Sequence, residues 1–154
     1  MERPYKIEFG SNGRKMPGWI CTDIDTADIR KPFKWSDDSC SELHISHCLE
    51  HVNSAEAIAF LKEAFRILQP GGVIRIIVPA VGTHMSRAHV VNLLDHSHGH
   101  CQGYNEDLLR TMLWAAGFEL QNIQRTDRKP IDNHHLQIGE ELDCLESLRI
   151  EAKK

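Results

Sequence analysis

Hydrophobic and charged residues alternate at the start of the chain. Tyr5, Ile7 and Phe9 are separated by two charged residues, and the pattern stops at Gly10. This period of two predicts a strand over residues 5–9. Shorter or less regular apolar runs predict five further strands, over residues 19–22, 42–46, 73–78, 118–125 and 145–152.

Two segments repeat their apolar residues at helical spacing. The first begins at Ser54, a good N-cap, and stops before Pro70, and the second is capped by Asn105 and ended by Gly117. Residues 82–103 lack periodicity, so we expect a long loop there. This order of elements predicts an α/β fold with a mostly parallel sheet and a hairpin at one edge.

Candidate ligand-binding residues follow the first two predicted strands. In an open α/β sheet the ligand binds beyond the carboxyl ends of the strands. The glycine turn 10–13 allows the backbone to approach a ligand closely, and Asp23 or Asp25 can accept the hydroxyls of a ribose. Taken alone, a glycine turn after a strand is more often an ordinary turn, and an exposed acidic pair is mostly solvated surface.

The short connection between these two strands restricts the ligand. Only about nine residues join them, which leaves no room for the helix that binds the pyrophosphate of a dinucleotide. The first helix that usually follows such a turn must therefore be vestigial. A dinucleotide-dependent dehydrogenase is disfavoured.

Composition narrows the class of protein further. The 154 residues fit one domain, 1–154, and the formal net charge of −4 with scattered basic residues disfavours nucleic acid as a partner. No apolar run approaches the roughly 20 residues of a membrane span, and no signal peptide opens the chain. The five cysteines lack CxxC spacing, which is typical of free thiols in a reducing compartment. We therefore expect a cytoplasmic protein with no membrane partner.

Short blocks with a specific order and spacing extend over nearly the whole chain. They are Glu8-Phe9-Gly10, Pro17-Gly18-Trp19-Ile20, Asp23-Ile24, His47-Cys48-Leu49-Glu50-His51, Leu68-Gln69-Pro70-Gly71-Gly72 and Ala116-Gly117-Phe118. This series resembles the class I S-adenosylmethionine-dependent methyltransferases, specifically the short bacterial group with an HxLEH segment and an LKPGG-like turn. The resemblance implies a Rossmann-like three-layer sandwich with a seven-stranded, mostly parallel sheet in the order 3-2-1-4-5-7-6, whose last strand is antiparallel.

The resemblance also implies a function and a cofactor site. It implies transfer of a methyl group from S-adenosyl-L-methionine (EC 2.1.1.-) to an acceptor that no residue identifies, with a small molecule favoured. Asp23 matches the ribose-binding carboxylate, and Ile24 lies beside the adenine. The residues implied to bind the cofactor are Glu8, Phe9, Gly10, Ser11, Gly13, Asp23, Ile24, Asp28, Ile29 and His47.

One position of the glycine turn departs from the family. The usual second glycine is Asn12 in this chain. Asparagine tolerates left-handed backbone conformations better than other residues with a side chain. We therefore expect the turn to be kept.

An acceptor that is an alcohol or a similar group needs a base to remove its proton. The candidates are His47, His98, His100 and Tyr104, with His51 in the same loop as His47. Imidazole suits this role because it titrates near neutral pH. We expect residues 82–103 or a second subunit to meet the acceptor, so a homodimer stays open.

Two other functions compete with this interpretation. His44, His47, Cys48 and His51 offer the nitrogen and sulfur ligands that zinc prefers, but a change from strand to loop at Ser46 would scatter them. No metal site is therefore expected. Alternatively, the chain keeps the fold without catalysis and acts as a binding or accessory subunit, since it is short for such a fold.

Overall fold

The computed structural model describes residues 4–79, 99, 101–126 and 147–154. Within them, six strands form one sheet in the order β2-β1-β3-β4-β6-β5. The strands are β1 (Tyr5–Phe9), β2 (Ile20–Thr22), β3 (Cys40–Ser46), β4 (Leu68–Pro79), β5 (Ile123–Arg125) and β6 (Ser147–Lys153).

The sheet is parallel except around its last strand. β1 pairs in parallel with β2 and β3, and β3 pairs in parallel with β4. β6 lies between β4 and β5 and is antiparallel to both, as the resemblance implied for the last strand. One buried row of register partners crosses five strands: Ile7, Leu43, Ile74, Ala152 and Ile123.

The expectation of seven strands is wrong for the described residues. The strand that is absent is the third one of the expected order 3-2-1-4-5-7-6. Without it, and with the later strands renumbered, the expected order becomes the observed one, β2-β1-β3-β4-β6-β5. Residues 23–39, between β2 and β3, form no strand. Instead, Phe33 stacks on Phe9 with ring centroids 4.8 Å apart, and Trp35 packs edge-on against the same ring. This segment covers the sheet, and its aromatic side chains complete the core.

Other predicted boundaries also need correction. β4 begins at Leu68 rather than at residue 73, because Leu68 already pairs with Cys40 of β3. β5 is confined to Ile123–Arg125, since a 3-10 turn occupies Leu120–Asn122 in the region predicted as strand. No helix lies between β1 and β2, as the short connection predicted.

Two helices cover the sheet in the described part of the chain: α1 (Ser54–Ile67) and α2 (Glu106–Ala116). The N-cap of α1 is Asn53 rather than the predicted Ser54. Its side chain accepts a hydrogen bond from the Glu56 backbone, and the Glu56 side chain accepts one from the Asn53 backbone, which forms a capping box. Asn105 and Gly117 cap α2 as predicted.

Both helices lie on the same face of the sheet. The connections β3–α1–β4 and β4–α2–β5 cross the sheet in one direction, and right-handed crossovers then place their helices on one side. Buried residues of both helices join the strands in one hydrophobic cluster. Three layers were expected, but the described residues form two, the sheet and one layer of helices. A helix in the β1–β2 connection would cover the other face of the sheet, and that connection contains none.

The opposite face of the sheet is charged. Lys6, Glu42, Arg75 and Glu151, from β1, β3, β4 and β6, form a continuous row of ion pairs. No helix of the described ranges is long and apolar enough to span a membrane. Four of the five cysteines are described, and all four are free thiols.

The capping box gives a direct test of how α1 is held. Asn53→Ala removes the oxygen that accepts the Glu56 backbone N–H, and we expect a loss of about 1 kcal/mol of unfolding free energy. Urea denaturation should show a lower midpoint with an unchanged slope. Asn53→Asp keeps an acceptor oxygen and serves as the control; equal midpoints for Asn53→Ala and wild type would contradict the assigned cap.

Candidate active site

One cavity of about 160 Å³ opens at the carboxyl ends of β1, β2 and β3. It contains five of the residues predicted to bind the cofactor: Gly10, Asp23, Ile24, Asp28 and Ile29. Its other lining residues are Ala27, Arg30, Cys48, His51 and Val52. The glycine turn, the segment after β2 and the HxLEH segment therefore meet in one place.

The glycine turn approaches the HxLEH segment very closely. Gly10 has φ +68°, and a Cβ there would lie 2.9 Å from both Cβ and Sγ of Cys48. Such a contact is too short, so glycine is required at this position. Asn12 adopts φ +51°, which confirms that asparagine can take the place of the family's second glycine.

Asp23 holds the glycine turn in place. Its carboxylate accepts hydrogen bonds from the backbone N–H of Asn12 at 2.7 Å, from the backbone N–H of Gly13 at 3.1 Å and from the Ser11 hydroxyl at 3.0 Å. Burial by itself would raise the pKa of Asp23, but these three bonds outweigh it and keep the pKa below its usual value. A carboxylate has about four acceptor positions, so one remains for a ligand.

Asp28 and Ile24 form the outer side of the cavity. Arg30 binds the Asp28 carboxylate with two side-chain N–H groups, each at 2.9 Å, and lowers the pKa of Asp28 to about 2. Ile24 is 65% exposed, an unusual state for a large aliphatic side chain at a cavity. Together with Ala27 and Ile29 it offers an apolar surface to a ligand.

The HxLEH segment, which lines the cavity through Cys48 and His51, also contains a buried carboxyl group. Glu50 is 1% exposed, and its Oε1 lies 3.7 Å from His47 Nδ1 and 3.9 Å from His51 Nε2. Burial raises the pKa of Glu50 to about 7. We call His47, Glu50 and His51 the Glu50 cluster. The sequence indicates Glu50 only as part of the HxLEH motif, and nothing in its local pattern predicts that it is buried.

Several predicted cofactor residues lie away from the cavity lining. Phe9 is fully buried among the core aromatic rings. Glu8 is buried on the charged face of the sheet, where it contacts Arg14 and His44 at 3.2 Å and 3.5 Å. Ser11 and Gly13 do not line the cavity, but both donate hydrogen bonds to Asp23, which does.

The predicted proton acceptors occupy different environments. His47 has φ +48° and contacts Ser147 and the Glu50 carboxyl. Tyr104 is fully buried with its hydroxyl 3.3 Å from the Leu49 carbonyl, and burial raises its pKa. His98 and His100 lie outside the described residues.

The side chains of the zinc alternative do not form a metal site. His44 contacts Glu8 and Trp19 on the charged face, whereas His47 and His51 flank Glu50. Within the described ranges, no three His, Cys, Asp or Glu side chains are arranged to hold a metal ion. The strand does end at Ser46, as the sequence predicted.

The role of Asp23 in the turn can be tested by its pH dependence. Asp23→Asn keeps one acceptor oxygen but replaces the other by an NH2 group, which cannot accept a hydrogen bond from the turn, and we expect a loss of about 1–2 kcal/mol at pH 7. Because folding lowers the pKa of Asp23, this stabilisation is present above the unfolded pKa, about 4, and disappears as the pH falls through the lower folded value. Urea denaturation at pH 7 and pH 3 should show the two proteins converging in acid; a constant difference would contradict the assignment.

Comparisons with known proteins agree with this geometry. A family model described as a methyltransferase domain matches residues 15–123. The fold is similar to that of an S-adenosylmethionine-dependent methyltransferase from Thermotoga maritima, described as a possible histamine N-methyltransferase (TM-score 0.65, 15% identity, 100% of this chain and 84% of that one). It is also similar to an S-adenosylmethionine-dependent methyltransferase from Archaeoglobus fulgidus (TM-score 0.64, 17% identity, 99% and 86%).

A third similar structure is an S-adenosylmethionine-dependent methyltransferase from Mesorhizobium loti (TM-score 0.62, 14% identity, 99% and 92%). At such identities the likeness extends to the fold alone, and no curated protein matches the chain. The match to the methyltransferase domain model supports the S-adenosylmethionine cofactor that the resemblance implied. Because the family model matches most of its length, the chain belongs to the methyltransferase domain family.

Proposed function

We propose that this chain is an S-adenosylmethionine-dependent methyltransferase that binds the nucleoside end of its cofactor in the cavity beyond β1, β2 and β3. The observation that carries the proposal is the meeting of Gly10, Asp23, Ile24, Asp28 and Ile29 in one cavity. These residues come from two separate segments, and the sequence predicts each of them to bind the cofactor.

The chemistry of the cavity fits a nucleoside. Ile24, Ala27 and Ile29 offer apolar contacts to a purine ring, and Asp23 keeps one acceptor position for a ribose hydroxyl. A volume of about 160 Å³ is below the roughly 300–1,000 Å³ typical of ligand pockets, so the cavity accounts for part of the cofactor. The high exposure of Ile24 is explained if a ligand covers it.

When bound, S-adenosylmethionine supplies a methyl group on a positively charged sulfur. The protein's contribution is to position the acceptor for in-line attack and, for an acceptor such as an alcohol, to take up its proton. His51 is suited to this uptake because it lines the cavity and is backed by Glu50. Tyr104 is better suited to holding the HxLEH segment through the Leu49 carbonyl.

The part of the site that would bind the methyl acceptor lies next to His51. The Gly99 carbonyl lies 3.3 Å from His51 Nδ1, and the Cys101 backbone N–H donates to the Glu50 carbonyl at 2.7 Å. The segment predicted as the acceptor loop therefore has described residues in contact with the cavity wall. We keep a small molecule as the acceptor, since the scattered basic residues give no surface for nucleic acid.

Ligand binding tests this function. S-adenosylhomocysteine should raise the melting temperature, because a ligand that binds only the native state stabilises it by about 2.7 kcal/mol at 100 times its Kd. NAD should leave the melting temperature unchanged. A shift with NAD and none with S-adenosylhomocysteine would overturn the proposal.

A matched pair of variants locates the binding site. Ile24 and Leu120 are both exposed, so replacing either by aspartate should leave the fold intact. Only Ile24→Asp should weaken S-adenosylhomocysteine, by about tenfold or more, because it puts a charge against the apolar wall. Calorimetry that finds equal affinities for the two variants would move the site elsewhere.

A further inference from the structure

Glu50 differs from the two carboxylates that line the cavity. Asp23 accepts hydrogen bonds from the turn, and Asp28 is ion-paired. For Glu50, no Lys or Arg of the described residues lies within ion-pair distance, and its Oε2 has no hydrogen-bond partner there. It nevertheless backs the cavity, because Cys48 and His51 on either side of it are lining residues.

The approach of His51 to Glu50 is favourable only when one of them carries a proton at their interface. His51 Nδ1 lies 3.3 Å from the Gly99 carbonyl, which only accepts hydrogen bonds, so the neutral ring carries its proton on Nδ1. His51 Nε2 and an ionised Glu50 would then face each other with lone pairs only. One proton on either partner makes the contact attractive, and His47 on the other side of Glu50 can share in holding it.

The other titratable groups around Glu50 supply no positive charge. The Glu50 charge acts on the partly buried Cys48 and on the buried Tyr104, and the Cys101 backbone N–H donates to the Glu50 carbonyl. Across the cavity, Asp23 is negative, and Asp28 is paired with the lining residue Arg30, so that this pair adds no net positive charge. Within the described structure, only the two imidazoles of the cluster can offset an ionised Glu50.

The charge of Glu50 extends to the cavity wall. Burial raises the pKa of the Cys48 thiol to about 11, and the next contribution comes from Glu50. Cys48 is the residue against which Gly10 packs, at the junction of the glycine turn and the HxLEH segment. A charged ligand at this junction therefore interacts with Glu50 through an apolar wall, where screening by water is weak.

We propose that the Glu50 cluster makes the site selective for the charge of its cofactor: the cluster holds one proton when the site is empty or contains a neutral ligand, and releases that proton to solvent when a sulfonium cation binds. This inference rests on the proposed function. The release breaks one O–H or N–H bond and leaves a carboxylate beside the cation, so charge is balanced without any other reactant. S-adenosylmethionine is thereby favoured over S-adenosylhomocysteine, whose sulfur is neutral.

Because cation binding is coupled to proton release, the affinity for S-adenosylmethionine should depend on pH with a sign that can be stated. Below about pH 7 the cluster is protonated, and a cation must displace the proton, so the affinity for the cation falls with falling pH. Above about pH 7 the proton is already lost and the affinity levels off. If the cation binds only the deprotonated cluster, the affinity rises about tenfold between pH 6 and pH 8, whereas the affinity for a neutral sulfur does not change.

The experiment is calorimetry on the full chain with S-adenosylmethionine and S-adenosylhomocysteine at pH 6, 7 and 8, in two buffers of different ionisation enthalpy. We expect release of about half a proton at pH 7 with S-adenosylmethionine, in excess of that with S-adenosylhomocysteine. The amino groups of both ligands titrate as well. The decisive quantity is therefore the difference between wild type and Glu50→Gln, which should lose both the excess proton release and about tenfold in selectivity.

Glu56→Gln is the matched control, because glutamine keeps the capping box and the change removes an equal charge outside the cavity lining. It should behave as wild type. Equal pH dependence of the two ligands in the wild-type protein would overturn the inference while leaving the proposed function intact, and this outcome does not require Glu50→Gln to fold. Failure of both ligands to bind at any pH would overturn the proposed function and the inference with it.

Discussion

The close approach of Gly10 to Cys48 is the constraint on which the site depends. It brings the end of β1 against the segment that follows β3, with no space for a side chain at Gly10. Asp23 then ties the same turn to the end of β2 through hydrogen bonds to its backbone. Three neighbouring strand ends are thus joined by one steric contact and one carboxylate, and the cavity is the space left between them.

Local patterns were sufficient to predict most of the fold. The alternation in β1, the apolar spacing of α1 and the caps of α2 each follow from a few neighbouring residues. The seventh strand and the third layer were implied by the resemblance alone, since the residue patterns predict six strands and a vestigial first helix. Phe33 and Trp35 pack on Phe9 instead of extending the edge of the sheet.

The candidate site was predictable where a motif follows a strand end. Gly10, Asp23 and Ile24 reach the cavity because parallel strands place their carboxyl ends together. Glu50 was not recognised, since a glutamate in a short turn is ordinarily solvated and its segment is covered by Cys101, Gln102 and Tyr104, about 50 positions away. Long-range contacts of this kind leave no local pattern in one sequence.

The central position of β6 has a consequence for biosynthesis. β5 pairs with β6 alone in the described sheet, and β6 also completes one side of β4. Because β6 consists of residues 147–153, a nascent chain that has already emerged through Arg125 still exposes the unpaired edge of β4, and β5 has no partner. Such an edge can pair with other chains until β6 has emerged from the ribosome, and a chain truncated before residue 147 cannot close its sheet.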